Sequence, residues 1–124
     1  MSYLLVFFGG GLGSMLRYAV NVVCSRLLGT DFPFGILIIN VTGSAVMGLV
    51  AGYLAFKGEA SQPWRVFLMT GILGGYTTFS AFSLDTIVLY ERGELGLAAF
   101  YVAGSVVLSI LGLVAGLALV RHFA

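Results

Sequence analysis

Apolar residues run along this chain in long blocks, not in stripes. Residues 33–56 and 95–120 carry no charge at all, and residues 66–84 form a third uncharged run, extendable through Asp85 to Tyr90. Residues 3–28 make a fourth block, interrupted near its middle by Arg17. A helix needs about 20 mostly apolar residues to cross the hydrocarbon of a bilayer. The pattern therefore predicts an all-α membrane protein of four transmembrane helices. The connections are short, around residues 29–31, 57–62 and 91–94. Pro33 and Pro63 fall at span entrances, where a missing N–H is harmless. An even number of spans places both termini on one side of the membrane. Residues 1–124 are expected to form a single domain. Met1-Ser2-Tyr3 puts no Lys or Arg ahead of the first apolar run, so that segment is expected to be retained and not cleaved.

Composition sharpens this reading. The chain is 60% hydrophobic and 9% charged, where soluble domains carry about 25% charged residues. A net charge of +1 provides no basic field, so nucleic acid is not an expected partner. Cys24 is the one cysteine and has no mate for an internal disulfide or a metal site. Loop charges should set orientation. Three residues (Lys57, Arg65, Arg121) lie on the side of the termini and two (Arg26, Arg92) on the other. So small a bias is open to two readings. Hydrophobicity or partners compensate for a weak signal, or the chain inserts both ways and pairs with its own inverted copy.

The chain holds 18 glycines, and Gly9/Gly13, Gly48/Gly52, Gly71/Gly75 and Gly112/Gly116 are pairs four apart. In lipid such pairs let helix backbones approach closely. The run "GGGLG" from Gly9 to Gly13 does not open a helix after a strand, so it is not a nucleotide loop. Four spans leave little room for an aqueous path through one bundle. A transported species would more readily pass at an interface between copies.

Polar groups inside a span are costly and mark function by default. Arg17 is permanently charged. It either snorkels or bonds to carbonyls, or it attracts anions at the floor of a vestibule. Asn40 interrupts the second span, as interhelical glue or as a donor toward a permeating anion. Tyr101, Ser105 and Ser109 recur every four residues, which sets three hydroxyls in a row about 12 Å long. Asp85 is expected to cap or to pair with a basic residue near the interface.

The stretch "GGYTTFSAFS" (residues 74–83) is the least helical part of the third span. Gly-Gly followed by Tyr-Thr-Thr predicts a break between Gly74 and Thr78. A break in lipid survives only where protein or water covers the freed backbone. Its carbonyls can face a cation, and the resumed helix presents an N-terminus to an anion. Phe79 and Phe82 share a face of that helix and alternate with Ser80 and Ser83. They are packing residues, or they present positive ring edges to a small anion without a fixed charge to trap it.

"GGGLGSMLRY" (residues 9–18), "PFGILIINVTG" (33–43) and "GGYTTFSAFS" resemble, in order and spacing, the signature stretches of the Fluc family of bacterial fluoride channels. The resemblance covers all four spans. It implies an antiparallel, dual-topology homodimer with two fluoride pores, seated in the bacterial inner membrane. It implies that Phe79 and Phe82 meet fluoride with their ring edges and that Asn40 is the pore asparagine. Tyr101, Ser105 and Ser109 then correspond to the aromatic residue and polar track of the fourth span, Ser80 and Ser83 add hydroxyls, and Arg17 corresponds to the vestibule arginine. The carbonyls of Gly74 and Thr77 match those that hold a structural sodium ion on the dimer axis. Two departures stand out: Ala81 replaces a usual Thr beside the pore, and Ile36 replaces another.

The function expected on this basis is passive fluoride export, which relieves fluoride toxicity. The alternative is a small dual-topology, proton-coupled exporter of cationic drugs. Such an exporter relies on a carboxylate in its first span, and this chain has no Asp or Glu before Asp31. A third reading, a non-transporting assembly protein, makes every buried polar residue glue. An enzyme is not expected, because the single His122 lies at the C-terminal edge and no nucleophile–base pair accompanies it.

Overall fold

The computed structural model describes residues 2–57 and 62–123. Residues 58–61, the centre of the second expected connection, lie outside the described residues. Helix α1 spans Ser2–Leu28 and α2 spans Phe34–Lys57. The third span is composite. It opens with α3 (Gln62–Arg65), widens into a π-helical segment (Val66–Leu73), returns to α4 (Gly74–Tyr76) and resumes as α5 (Phe79–Glu91). Helix α6 spans Leu95–Phe123. The described residues contain no strand. Four helical stretches, Ser2–Leu28, Phe34–Ala55, Gln62–Glu91 and Leu95–Phe123, are long and apolar enough to cross a membrane. They match the four expected spans, with the third beginning a turn earlier than the apolar run suggested.

The helix ends follow local chemistry. Gly29, at φ 82°, terminates α1 and returns its N–H to the Ser25 carbonyl at 3.1 Å. After α5, Gly93 N–H donates to the Tyr90 carbonyl and Glu94 N–H to the Leu89 carbonyl, both at 3.0 Å. This paired closure needs the left-handed backbone that Gly93 adopts at φ 81°.

The glycine pairs meet one another across helices. Helix α1 lies mainly against the π segment and α4, and α2 lies mainly against α6. A Cβ on Gly75 would fall 2.6 Å from the Gly10 carbonyl oxygen, and one on Gly116 would fall 2.5 Å from the Ala45 carbonyl oxygen. The widened π turn brings the Phe67 carbonyl and the backbone of Gly71 and Ile72 against Gly9. No local pattern in its residues, VFLMTGIL, announces this wide turn, although Thr70 and Gly71 are weak helix formers.

The packed core lies toward the end of the molecule that holds the α5–α6 connection. Tyr101, Ile39 and Leu89 are fully buried there, joined by Phe32, Ile36, Phe82 and Ala98. Large apolar side chains elsewhere, such as Tyr3, Phe7, Ile110 and Val114, are exposed on the single chain. A membrane or a second copy must be their solvent, because water would penalise so continuous an apolar surface.

Candidate functional site

The third span breaks where α4 ends. Thr77 (φ −80°, ψ 157°) and Thr78 (φ −152°, ψ 122°) are extended. The break thus falls within the expected window, but on the threonines. Gly74, at φ −63° and ψ −35°, is still helical. Two side chains replace the missing backbone bonds. Asn40 Nδ2 donates to the Thr78 carbonyl at 3.0 Å, and the Thr78 N–H donates to Asn40 Oδ1 at 2.8 Å. This two-point pairing resembles neighbouring strands exchanging both bonds. Thr78 also caps α5, its Oγ1 accepting from the Ala81 N–H at 3.1 Å. Thr77 remains tied to the turn before it, with N–H and Oγ1 both donating to the Leu73 carbonyl at 3.0 Å. On the other side of Asn40's helix, Thr42 Oγ1 donates to the Ile38 carbonyl at 2.7 Å and lies 2.9 Å from the Tyr76 hydroxyl.

Beside the break runs a groove of about 460 Å³. Asn40, Thr77, Thr78, Phe79, Phe82, Ser105 and Ser109 line it, with Gly43, Ser44 and Met47 on α2. Phe79 and Phe82 stand 5.4 Å apart, centroid to centroid, with their planes tilted by 53°. Phe82 is buried, while Phe79 is 77% exposed on the single chain. Ser105 is 5% exposed, and its hydroxyl is the one buried side-chain polar atom without a hydrogen-bond partner among the described residues. The wall thus combines two aromatic rings, an amide with one N–H beyond the one given to Thr78, and an unspent hydroxyl. None of these groups carries a full charge, so a small anion entering here would meet donors and no counter-ion.

Some residues marked by the sequence stand apart from the groove. Tyr101 is fully buried behind it, its ring 5.3 Å from that of Phe82. Its hydroxyl donates to Asp85 Oδ2 at 3.2 Å. Asp85, expected to cap or to pair with a basic residue, pairs instead with this hydroxyl of α6, and Arg92 donates to the Asp31 carbonyl at 3.2 Å. Ser80 and Ser83 do not line the groove. Ser80 Oγ lies 3.2 Å from Thr78 Oγ1, and Ser83 Oγ donates to the Phe79 carbonyl at 3.0 Å. Arg17 is half-buried on α1, away from the groove lining, without a hydrogen bond or ion pair among the described residues. The sequence reading places Thr78 in the break but does not assign its cap, and it does not mark Thr42. A threonine three residues before Ala81, at the start of a resumed helix, was the legible sign of a cap.

The fitness of the break for a cation rests on carbonyls. In a continuous helix the Thr78 N–H would close on Gly74 and the Ala81 N–H on Thr77. Here Asn40 and the Thr78 hydroxyl take those donors, so both carbonyls are parted from their helical partners. Gly74 is also exposed on the single chain. Neutral oxygens of this kind suit a monovalent cation. Among the described residues no group of three or more His, Cys, Asp or Glu offers a stronger metal site.

Comparison with known proteins follows the same lines. Residues 4–117 match the family described as CrcB-like protein, Camphor Resistance (CrcB). A protein of Nitrobacter hamburgensis named fluoride-specific ion channel FluC 2 is 72% identical over 122 residues, covering 98% of each chain. The fluoride-specific ion channel FluC of Rhodopseudomonas palustris strain BisB5 is 69% identical over 121 residues, again covering 98% of each. That of Granulibacter bethesdensis is 55% identical, covering 98% of this chain and 95% of its own. With similarity of this extent running through all four spans and through the break inside the third, the chain belongs to the CrcB-like family.

Proposed function

We propose that this protein is a passive, fluoride-selective ion channel of a bacterial membrane, and that the groove beside the Thr77–Thr78 break is one wall of its pore. The observation that carries this reading is the wall's chemistry. Phe79, Phe82, Asn40 and the partnerless Ser105 hydroxyl converge on one space. Fluoride is small and strongly hydrated, so a pore must replace its water with donors. Entry also demands that no fixed cation hold it. Ring edges and neutral hydroxyls meet both demands. Ser109 extends the donor row along α6, and Tyr101 supports Phe82 from behind.

The groove is open on one side of the single chain, with Phe79 on its rim. An anion path open to lipid would be prohibitive, so a second copy would close it. An antiparallel homodimer accords with the small charge bias of the loops and would give two such pores. The Gly74 and Thr77 carbonyls of both copies would then hold a sodium ion, which supplies fixed positive charge between copies and is not transported. Arg17 would draw anions toward the entrance. Flux would follow the existing gradient: hydrogen fluoride enters as the neutral acid, ionises inside, and the trapped anion leaves through the channel. No reaction is catalysed. The exporter alternative lacks its essential carboxylate, for α1 contains no Asp or Glu.

The test is efflux from liposomes holding the purified protein, read with a fluoride electrode, with chloride as the paired control. Fluoride release without chloride release is expected. No fluoride release from folded, reconstituted protein would overturn the assignment.

A further inference from the structure

The break does not hold itself open. A helix interrupted in lipid tends to reclose, since reclosure satisfies its own backbone groups. Reclosure here needs two donors in particular. The Thr78 N–H would seek the Gly74 carbonyl, and the Ala81 N–H would seek the Thr77 carbonyl. Each donor is engaged by a different side chain. Asn40 Oδ1 takes the first at 2.8 Å, and Thr78 Oγ1 takes the second at 3.1 Å. Asn40 simultaneously satisfies the Thr78 carbonyl at 3.0 Å. A side-chain amide can serve a peptide N–H and C=O together, as it presents a donor and an acceptor on one planar group. Thr78 is buried at 7% exposed, so water cannot easily stand in for either partner.

We infer that Asn40 and the Thr78 hydroxyl are positioning residues for the cation site: neither touches the ion, but each withholds one donor from one of its two carbonyl ligands. This rests on the proposal that Gly74 and Thr77 hold a monovalent cation. Asn40 guards Gly74, and the Thr78 side chain guards Thr77. Because Asn40 also lines the groove, one side chain serves both the anion wall and the cation ligands. The two ion sites are joined through a single peptide unit, that of Thr78.

Two substitutions separate the guards. Asn40→Leu frees the Thr78 N–H to compete for Gly74. Thr78→Val keeps the branched shape that suits an extended backbone but frees the Ala81 N–H to compete for Thr77. Thr78→Ser restores the cap. The experiment follows the thermal midpoint of the detergent-purified protein as sodium replaces N-methylglucamine at constant ionic strength. The readout is the sodium concentration that gives half of the stabilisation. That concentration should rise about tenfold or more for Asn40→Leu and for Thr78→Val, the effect of losing one hydrogen-bonded partner. It should return to the wild-type value in Thr78→Ser. Gly96→Ala, whose added Cβ meets nothing within 4 Å and which lies outside the groove, should leave it unchanged. A merely structural role would lower the midpoint at every sodium concentration and leave the half-saturation point in place, and that outcome in both variants overturns the inference. A wild-type protein indifferent to sodium would overturn the cation site itself, and the inference with it.

Discussion

Ser105→Ala should stabilise the protein and impair it at once. The Ser105 side chain is 5% exposed, and its hydroxyl has no partner among the described residues. Burying a hydroxyl without a hydrogen bond costs about 1–3 kcal/mol on the scale of protein mutational data. Alanine removes that cost, and adds a few tenths of a kcal/mol of helix propensity within α6 (Leu95–Phe123). The lost oxygen leaves a void of only one atom on the groove wall, so little packing is forfeited. The net expectation is a gain of about 1–2 kcal/mol. Transport should move the other way. A hydroxyl donating to an ion is worth about 1.5–3 kcal/mol. Its loss should lower fluoride throughput by about tenfold or more at low fluoride, at 1.4 kcal/mol per factor of ten. The assay pairs a thermal melt of the purified protein in fluoride-free buffer with electrode-read efflux from liposomes. A melt that rises while efflux falls is the expected result. If the variant loses stability, the hydroxyl has a structural partner and the reasoning fails. If it conducts as wild type, Ser105 does not face the ion.

Three further expectations follow from other contacts. Gly75→Ala places a Cβ 2.6 Å from the Gly10 carbonyl oxygen and 3.0 Å from the Gly10 Cα, all rigid backbone. Helices α1 and α4 must part, at a cost of about 1–3 kcal/mol, whereas Gly96→Ala meets nothing within 4 Å and should be neutral or mildly stabilising in the same melt. Phe79→Ile and Phe82→Ile keep an apolar side chain but remove the ring edge, so both should fold, remain assembled and lose most fluoride efflux; normal conduction in both would reject the ring-edge wall. Tyr101→Phe keeps the ring against Phe82 but deprives Asp85 of its donor at 3.2 Å; a loss of about 1–3 kcal/mol in stability is expected, and an unchanged melt would mean that water already serves Asp85.

The four spans were legible because lipid imposes so simple a rule: about 20 apolar residues per crossing, with backbone bonds closed internally. The break was legible as a region but not as a position. Glycine is a poor helix former in the abstract, yet Gly74 and Gly75 stay helical, and at Gly75 the close approach of Gly10 on α1 leaves no room for a side chain. The chain opens two residues later, where Asn40 and the Thr78 hydroxyl can take over the donors. That depends on the register of α2 against α5, which no local pattern states. The fourth-span row was partly legible. Four residues turn a helix by 400°, so each step drifts about 40° from the last. Ser105 and Ser109 reach the groove, while Tyr101, one step earlier, rotates behind Phe82 and finds Asp85. Its partner lies 16 residues away on another helix, beyond the reach of spacing arguments.

Breaking a helix creates unmet acceptors and unmet donors in equal number, and this explains why a single fault can serve two ions of opposite sign. The acceptors belong to the α4 side, from Gly74 to Thr77, and the donors to the first turn of α5, which begins at Phe79. In lipid neither set can be left bare. Neutral carbonyls call for a cation, and exposed N–H groups at a helix start call for an anion. On the proposed reading the protein answers the first demand with sodium between copies, and the second with caps and with the fluoride path itself. The side chains at the break then sort the two. On that reading Asn40 and Thr78 engage the donors that would otherwise reclose on the carbonyls, which leaves those carbonyls to the cation. An arrangement of this kind needs no fixed carboxylate or ammonium inside the pore, and therefore leaves fluoride held by partial charges from which it can depart.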